Sequence, residues 1–374
     1  MSETQLSPLA GRLQSLDAFR GFTIAAMMLV NNPGSWQYVL PPLRHAEWNG
    51  WTFTDLIFPF FLFIVGTALV FSFTKRIEQG VPRRSFYLRI VRRTLLLILF
   101  GLFLSAFPKF DFEHLRIPGV LQRIGLCYLF ASLVVLHLGI RGQAIVACGL
   151  LILYWILIKL VPVPGYGAGA LTPEGNLGAY IDRLVFGHHM FWPNWDPEGL
   201  LSTIPAISTT LFGALTGHWL RSRRDPREIT GWLFVFGNSA LVVGSLMNYW
   251  LPINKSLWTS SYAVYTAGVA LNMLAAFYWL IDVKGYRSWA KPFVVWGTNA
   301  IAVYVFIGLV ARIMIFTNVH SNGEELSIKA YLWKTVFSAV GDPWIGSLLH
   351  ALVYVALSYL FVWCLWRRRV FLRL

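Results

Sequence analysis

Between positions 31 and 55 the chain reads NNPGSWQYVLPPLRHAEWNGWTFTD, a dense run of side chains able to do chemistry. An imidazole such as that of His45 can take a proton from an attacking amine or hydroxyl near neutral pH, and can also accept an acyl group. Asn31 or Asn32 can donate an amide N–H to a developing oxyanion. Asp55 opens the apolar run DLIFPFFLFIVGTALVFSF, and an ionisable group at that depth is costly enough to count as a functional candidate. Its expected partner is a basic residue from another span, Arg123 or Arg20. Asp17 and Arg20, three apart on one helix, also suit each other. Trp48 and Asn49 join the candidate binding residues. A plainer reading makes His45 an interfacial histidine, the asparagines helix caps and Asp55 half of a structural ion pair.

Other polar groups interrupt apolar stretches further along. RIPGVLQRIG (116–125) carries Gln122 and Arg123 into a span, where a guanidinium can hold a carboxylate or phosphate bidentately. PEGLLSTI (197–204) brings Glu198, Ser202 and Thr203, although Glu198 near a helix start also fits plain dipole pairing. NKSLWTSSY (254–262) brings Lys255, Trp258 and Ser261, and Asn299 sits in an apolar surround. Phosphate-loop, HExxH and zinc-deaminase patterns are absent. His188–His189 is a pair without further ligands, so no metal is expected.

Positioning these groups falls to helices in a membrane. Of 374 residues, 56% are hydrophobic and 13% charged, too little polarity to cover a soluble protein of this length. The apolar runs near 17–36, 52–74, 88–107, 118–138, 143–162, 200–220, 230–251, 258–281, 294–316 and 346–366 each suit a span of about 20 residues. All must be helical, because unpaired backbone is costly in lipid and no period-2 barrel pattern occurs, so no strands are expected. The fold class is all-α: a polytopic membrane bundle of about ten transmembrane helices, read as one domain over 1–374. Asp17 and Arg20 interrupt the first apolar stretch, which therefore reads as a retained helix rather than a removable signal.

Loops between these runs carry 20 basic residues on one side, Arg12 and Arg373 among them, against 7 on the other. By the positive-inside rule both termini are cytoplasmic. The same rule accounts for the net charge of +14, and nucleic acid is not an expected partner. Two long loops, about 163–199 and 317–345, then lie on the non-cytoplasmic side. The first is rich in Gly, Pro and Trp; LSIKAYLWKTVFSAV in the second suits an interfacial amphipathic helix. Cys127, Cys148 and Cys364 all lie within apolar runs, without CxxC spacing, which argues against disulfides and zinc.

In this order, RLQSLDAFRGF (12–22), Val30–Asn31, RHAEWNGWTFTDLIFPFFLFIVG (44–66), RIPGVLQRIGLCY (116–128), DPEGLLSTI (196–204), NKSLWTSSY (254–262) and the run at 299–304 resemble the heparan-alpha-glucosaminide N-acetyltransferase family, in a compact bacterial form. The resemblance implies acetyl transfer from cytoplasmic acetyl-CoA, as cosubstrate, to a glucosamine-type amino sugar on the periplasmic side of the inner membrane. It assigns His45 as the active-site residue, as base or acyl carrier, and carries the family's asparagine to Asn31. Asp55 and Arg123 are then expected to organise the site. The basic loops at 75–93 and 221–227 would steer the anionic cosubstrate. Gly66, Gly101 and Gly125 would admit its pantetheine arm or, equally, close helix packing. Related membrane enzymes often pair, so a homodimer is expected. A second reading is an amino-sugar permease, and a third is O-acylation of a cell-envelope glycan.

Overall fold

The computed structural model describes residues 13–321 and 323–372; Arg12 and Arg373 lie outside them. Long helices follow the expected apolar runs: α1 (Gln14–Asn31), α2 (Phe53–Glu78), α3 (Arg83–Ala106), α4 (Val120–His137) and α5 (Ile140–Leu160). After the short α6 (Leu177–Phe186) come α7 (Thr203–Leu220), α8 (Pro226–Met247), α9 (Ser260–Phe277), α10 (Lys291–Thr298) and α11 (Ala300–Phe316). The chain ends on α12 (Ile328–Leu332) and α13 (Pro343–Arg367). Six of these helices are long and apolar enough to cross a membrane, and a seventh if α10 and α11 count as one span. The protein is thus an all-α, multi-pass membrane protein.

Local sequence explains where the helices begin. Thr52 and Asp55 form a reciprocal capping box at the head of α2. Asp225 with Pro226 starts α8, and Asp342 with Pro343 starts α13, each aspartate accepting a backbone N–H of the first turn. Thr259 caps α9 through the amide of Tyr262 at 3.4 Å.

Several expectations change. The apolar run 294–316 is not one straight rod: α10 and α11 meet at Asn299 with a bend of 81°. Two short antiparallel hairpins occur where no strand was expected. Pro162–Val163 (β1) pairs with Gly167–Ala168 (β2), and Asn318–Ser321 (β3) with Glu324–Ser327 (β4). Both lie in the long loops outside the helix rods, where backbone polar groups can pair without breaking a span. The amphipathic segment in the second loop is broken rather than continuous: α12 is followed by a wide turn at Trp333–Phe337 and a tight one at Ser338–Val340. The first helix stops at Asn31, leaving 32–36 outside it.

The helices pack through small residues where they come closest. A Cβ on Gly66 of α2 would stand 1.8 Å from the carbonyl oxygen of Thr210 on α7, and one on Gly213 would stand 1.9 Å from that of Phe63. Thr67 Oγ1 donates to the Gly213 carbonyl at 3.0 Å across the same contact. Gly101 faces the Gln122 side chain and Gly125 faces Thr94. Gly66, Gly101 and Gly125 thus serve helix contacts, as small residues do in membrane bundles. α7 is accordingly central, with Ala206, Ser208, Thr209, Thr210, Leu211 and Ala214 fully buried. Gly66→Val forces α2 and α7 apart. It should lower the thermal unfolding midpoint of the detergent-solubilised protein, by an overpacking cost of about 1–3 kcal/mol; an unchanged midpoint would refute this contact.

Candidate active site

Asp55 belongs to the first turn of α2 and is 1% exposed. A carboxylate this deep needs partners, and local backbone supplies most of them. Its Oδ2 accepts the amides of Ala46 and Thr52, both at 3.0 Å. Its Oδ1 is left for His45 Nδ1 at 2.6 Å. The partner of Asp55 is therefore His45, ten residues away, and neither Arg123 nor Arg20. Arg20 holds Asp17 at 3.0 Å on its own helix and donates to the Gly297 carbonyl.

The segment that presents His45 is folded back onto α2. Thr52 Oγ1 donates to the Arg44 carbonyl, and Gly50 donates its amide to the Ile253 carbonyl at 2.7 Å. Gly50 turns the chain there with φ of 95°, a left-handed conformation that disfavours other residues. With Nδ1 engaged by Asp55, Nε2 is the ring nitrogen left over. The His45 side chain keeps 42% of its exposure and lines a cavity.

His45 lies at a cavity where α1, α2, α4 and α11 converge. From Thr54 to Phe61 its wall descends seven residues of α2, about 10 Å at helical rise. The inner wall is apolar, with Met27, Phe61, Ile124 and Ile301, and Tyr304 adds a phenol. The polar groups on the lining are His45, Asn31, Thr54, Glu198 and Lys255.

Lys255 Nζ stands 3.4 Å from His45 Nδ1 and 3.5 Å from Nε2, so it sits beside the ring and not on one lone pair. Burial pushes this ammonium below its ordinary range, against the pull of the Glu198 and Asp55 carboxylates. Glu198 accepts from Arg116 at 2.5 Å, and Arg116 also binds Asp196 with two nitrogens at 2.7 and 2.9 Å. Burial opposes the Arg116 charge, yet the two carboxylates hold its guanidinium above the usual range. Asp182, which accepts the Leu200 amide at 2.8 Å, is pushed up to about 6 by burial.

Of the remaining sequence candidates, Arg123, Asn49, Trp258 and Trp48 support the loops of this site and Asn299 lies elsewhere. Arg123 is 1% exposed, donates to the Gly199 carbonyl at 2.9 Å and to Ser202 Oγ, and lies 5.3 Å from the Trp258 ring. It thereby fixes the loop that carries Glu198. Asn49 accepts from Asn254 at 3.2 Å, and Asn254 in turn caps the turn at Leu257. Trp258, buried behind that turn, donates to Thr209 of α7 at 3.1 Å. Asn49 and Trp258 thus hold the loop that carries Lys255. Trp48 donates to the Leu171 carbonyl at 2.8 Å and meets Trp195 edge-on, tying the first long loop to the His45 segment. Asn299 is not brought here. It marks the bend between α10 and α11 and binds the Val370 carbonyl and the Leu372 amide.

Sequence reasoning passed over Thr52, Thr54, Tyr304 and the Arg116–Asp196 pair. Thr52 had a signal: TFTD ahead of an apolar run is a capping-box pattern. The others lie inside the motifs that carry the resemblance, but which of them face the cavity depends on how the helices are turned. His188 and His189 each spend a ring nitrogen on a backbone carbonyl, of Glu113 and Leu115, both at 2.8 Å. Among the described residues no group of three His, Cys, Asp or Glu is placed to hold a metal ion.

Residues 12–138 match the family model described as "Domain of unknown function (DUF5009)". The chain is 31% identical over 359 residues to the "Heparan-alpha-glucosaminide N-acetyltransferase" of Homo sapiens, covering 80% of this chain and 53% of that protein. It is 30% identical over 354 residues to the protein of the same name from Mus musculus, covering 79% and 53%. The chain spans about half the length of these relatives. Over four-fifths of its own length, then, this chain is a homologue of the heparan-alpha-glucosaminide N-acetyltransferases, the family its motifs resemble.

Proposed function

We propose that this protein is a transmembrane N-acetyltransferase, moving an acetyl group from cytoplasmic acetyl-CoA to a glucosamine-type amine on the opposite side. The observation that carries the proposal is the Asp55–His45 pair at a largely apolar cavity, with Lys255 beside the imidazole and Asn31 and Glu198 also on its lining. Kinship with enzymes named for N-acetyl transfer to a glucosaminide supports the same reading.

Asp55 orients the ring and favours the proton on Nδ1, leaving the Nε2 lone pair as base or acyl acceptor. In direct transfer the sugar amine attacks the thioester carbonyl while Nε2 removes an amine proton. The carbon–sulfur bond then breaks, and the imidazolium returns that proton to the leaving thiolate. In the two-step route Nε2 itself takes the acetyl group, releases CoA and passes the acetyl to the amine. Lys255 and Asn31 supply N–H donors beside the ring for the carbonyl oxygen as it gains charge. Glu198, anchored by Arg116, receives the polar sugar. The apolar wall toward Met27, Phe61 and Ile301 suits the acetyl-pantetheine end of the donor. The whole chain acts as one transmembrane domain in this scheme, entered by the cosubstrate from the face bearing most of the basic loops.

The decisive measurement is acetyl-CoA binding to purified full-length protein, followed by glucosamine addition and assay of released CoA. Saturable binding with acceptor-dependent release supports the proposal; amino-sugar movement without any acetyl-CoA binding would replace it with a permease. Replacing His45 with Ala should lower turnover by about 10²–10⁴-fold while the unfolding midpoint stays put, and wild-type turnover would end the assignment. Asp55→Asn keeps the shape but gives His45 an amide partner that no longer favours the Nδ1 proton. Turnover should fall about a hundredfold or more, with acetyl-CoA affinity nearly unchanged. A variant that loses binding and keeps turnover at saturation would instead make Asp55 a purely structural cap.

A further inference from the structure

α3 carries five arginines, Arg83, Arg84, Arg89, Arg92 and Arg93, and no acidic residue. With Lys75 and Arg76 at the end of α2 they form a basic cluster of seven at the end of α2 remote from His45. Among the described residues none of the seven makes a salt bridge; Glu78, the carboxylate beside them in sequence, is held by Arg221 at 2.9 Å. Arg76, Arg92 and Arg93 all repel the Arg89 charge, and the Tyr128 phenol on α4 favours it. Neighbouring basic loops differ, since Arg221 and Arg224 each have a glutamate.

The arginines also reach along the helix. Arg93 lies ten residues past Arg83, about 15 Å of rise. Arg84, Leu88, Arg92, Leu95 and Leu99 recur at three- and four-residue steps and share one face. Leu88, Leu95 and Leu99 on that face are 62%, 53% and 59% exposed, as lipid-facing leucines are. An exposed Arg92 between them is out of place against hydrocarbon, and its stem must carry the guanidinium toward the polar interface. On the adjoining flank Arg93 packs 4.4 Å over the Tyr128 ring of α4, with its Nε buried and unbonded.

We propose that this α3–α4 flank binds the phosphodiester of an anionic phospholipid. Arg89, Arg92 and Arg93 meet the phosphate, and the acyl chains lie along Leu88, Leu95 and Leu99. Guanidinium groups suit phosphate oxygens, and juxtamembrane basic clusters attract anionic leaflets. The apolar stripe running away from the charges favours a lipid over a free phosphate.

The test is native mass spectrometry of the full chain, exchanged into detergent containing equal phosphatidylglycerol and phosphatidylcholine. Wild type should retain phosphatidylglycerol preferentially. The double variant Arg89→Gln/Arg92→Gln, altered only at exposed positions, should bind it about 30-fold more weakly. Arg368→Gln/Arg369→Gln, which removes two other exposed arginines, should bind as wild type does, and Arg92→Lys should keep most of the lipid. Equal loss in both glutamine pairs would reduce the effect to general charge and overturn the site. Displacement of the lipid by excess coenzyme A would reassign the flank to a free phosphate and overturn it equally.

Discussion

A carboxylate that is 1% exposed at the head of an apolar helix cannot stand without donors. Asp55 finds them by bending the preceding chain over itself, so that the amides of Ala46 and Thr52 converge on one oxygen. Helix start and site geometry are one event here. The same contact that begins α2 fixes the path of residues 44–52 and leaves the second oxygen aimed at His45. Loss of this carboxylate would free both the helix cap and the imidazole.

Everything else around the cavity extends that arrangement outward. Two further loops, from the starts of α7 and α9, bring Glu198 and Lys255 to the cavity, and each is held from behind. Arg123 binds the first through Gly199 and Ser202; Asn49, Asn254 and Trp258 hold the second. Polar and aromatic residues sunk among helices are thus spent on keeping three loops in register. The close α2–α7 contact through Gly66 and Gly213 provides the rigid base on which all three rest.

Charge is divided along the molecule. Near His45 the charged groups are few and matched: Arg116 with two carboxylates, Lys255 between Asp55 and Glu198. At the other end of α2 the arginines of α3 lie unmatched beside lipid-facing leucines. A protein whose basic residues served only to set its orientation would not need arginines three turns into a helix. Their placement points to a ligand from the membrane itself.

Much of this was legible in the residues. Low charge and long apolar runs require a bilayer, because only lipid solvates that much apolar surface; the run after Asp55 is α2 within a few residues. The chemistry of the 31–55 segment was also readable, since His45, Asn31 and Asp55 stand out by type alone. The partner of Asp55 was not, because a buried aspartate suggests an arginine by charge, while the capping box brings in a histidine by chain path. Nor could spacing tell that Arg123 and Trp258 stand behind the wall while Tyr304 lines it. Lys255 and His45 are 210 positions apart. Whether such residues meet depends on how the helices pack and where their connecting loops are pinned, and those are properties of the assembled bundle alone.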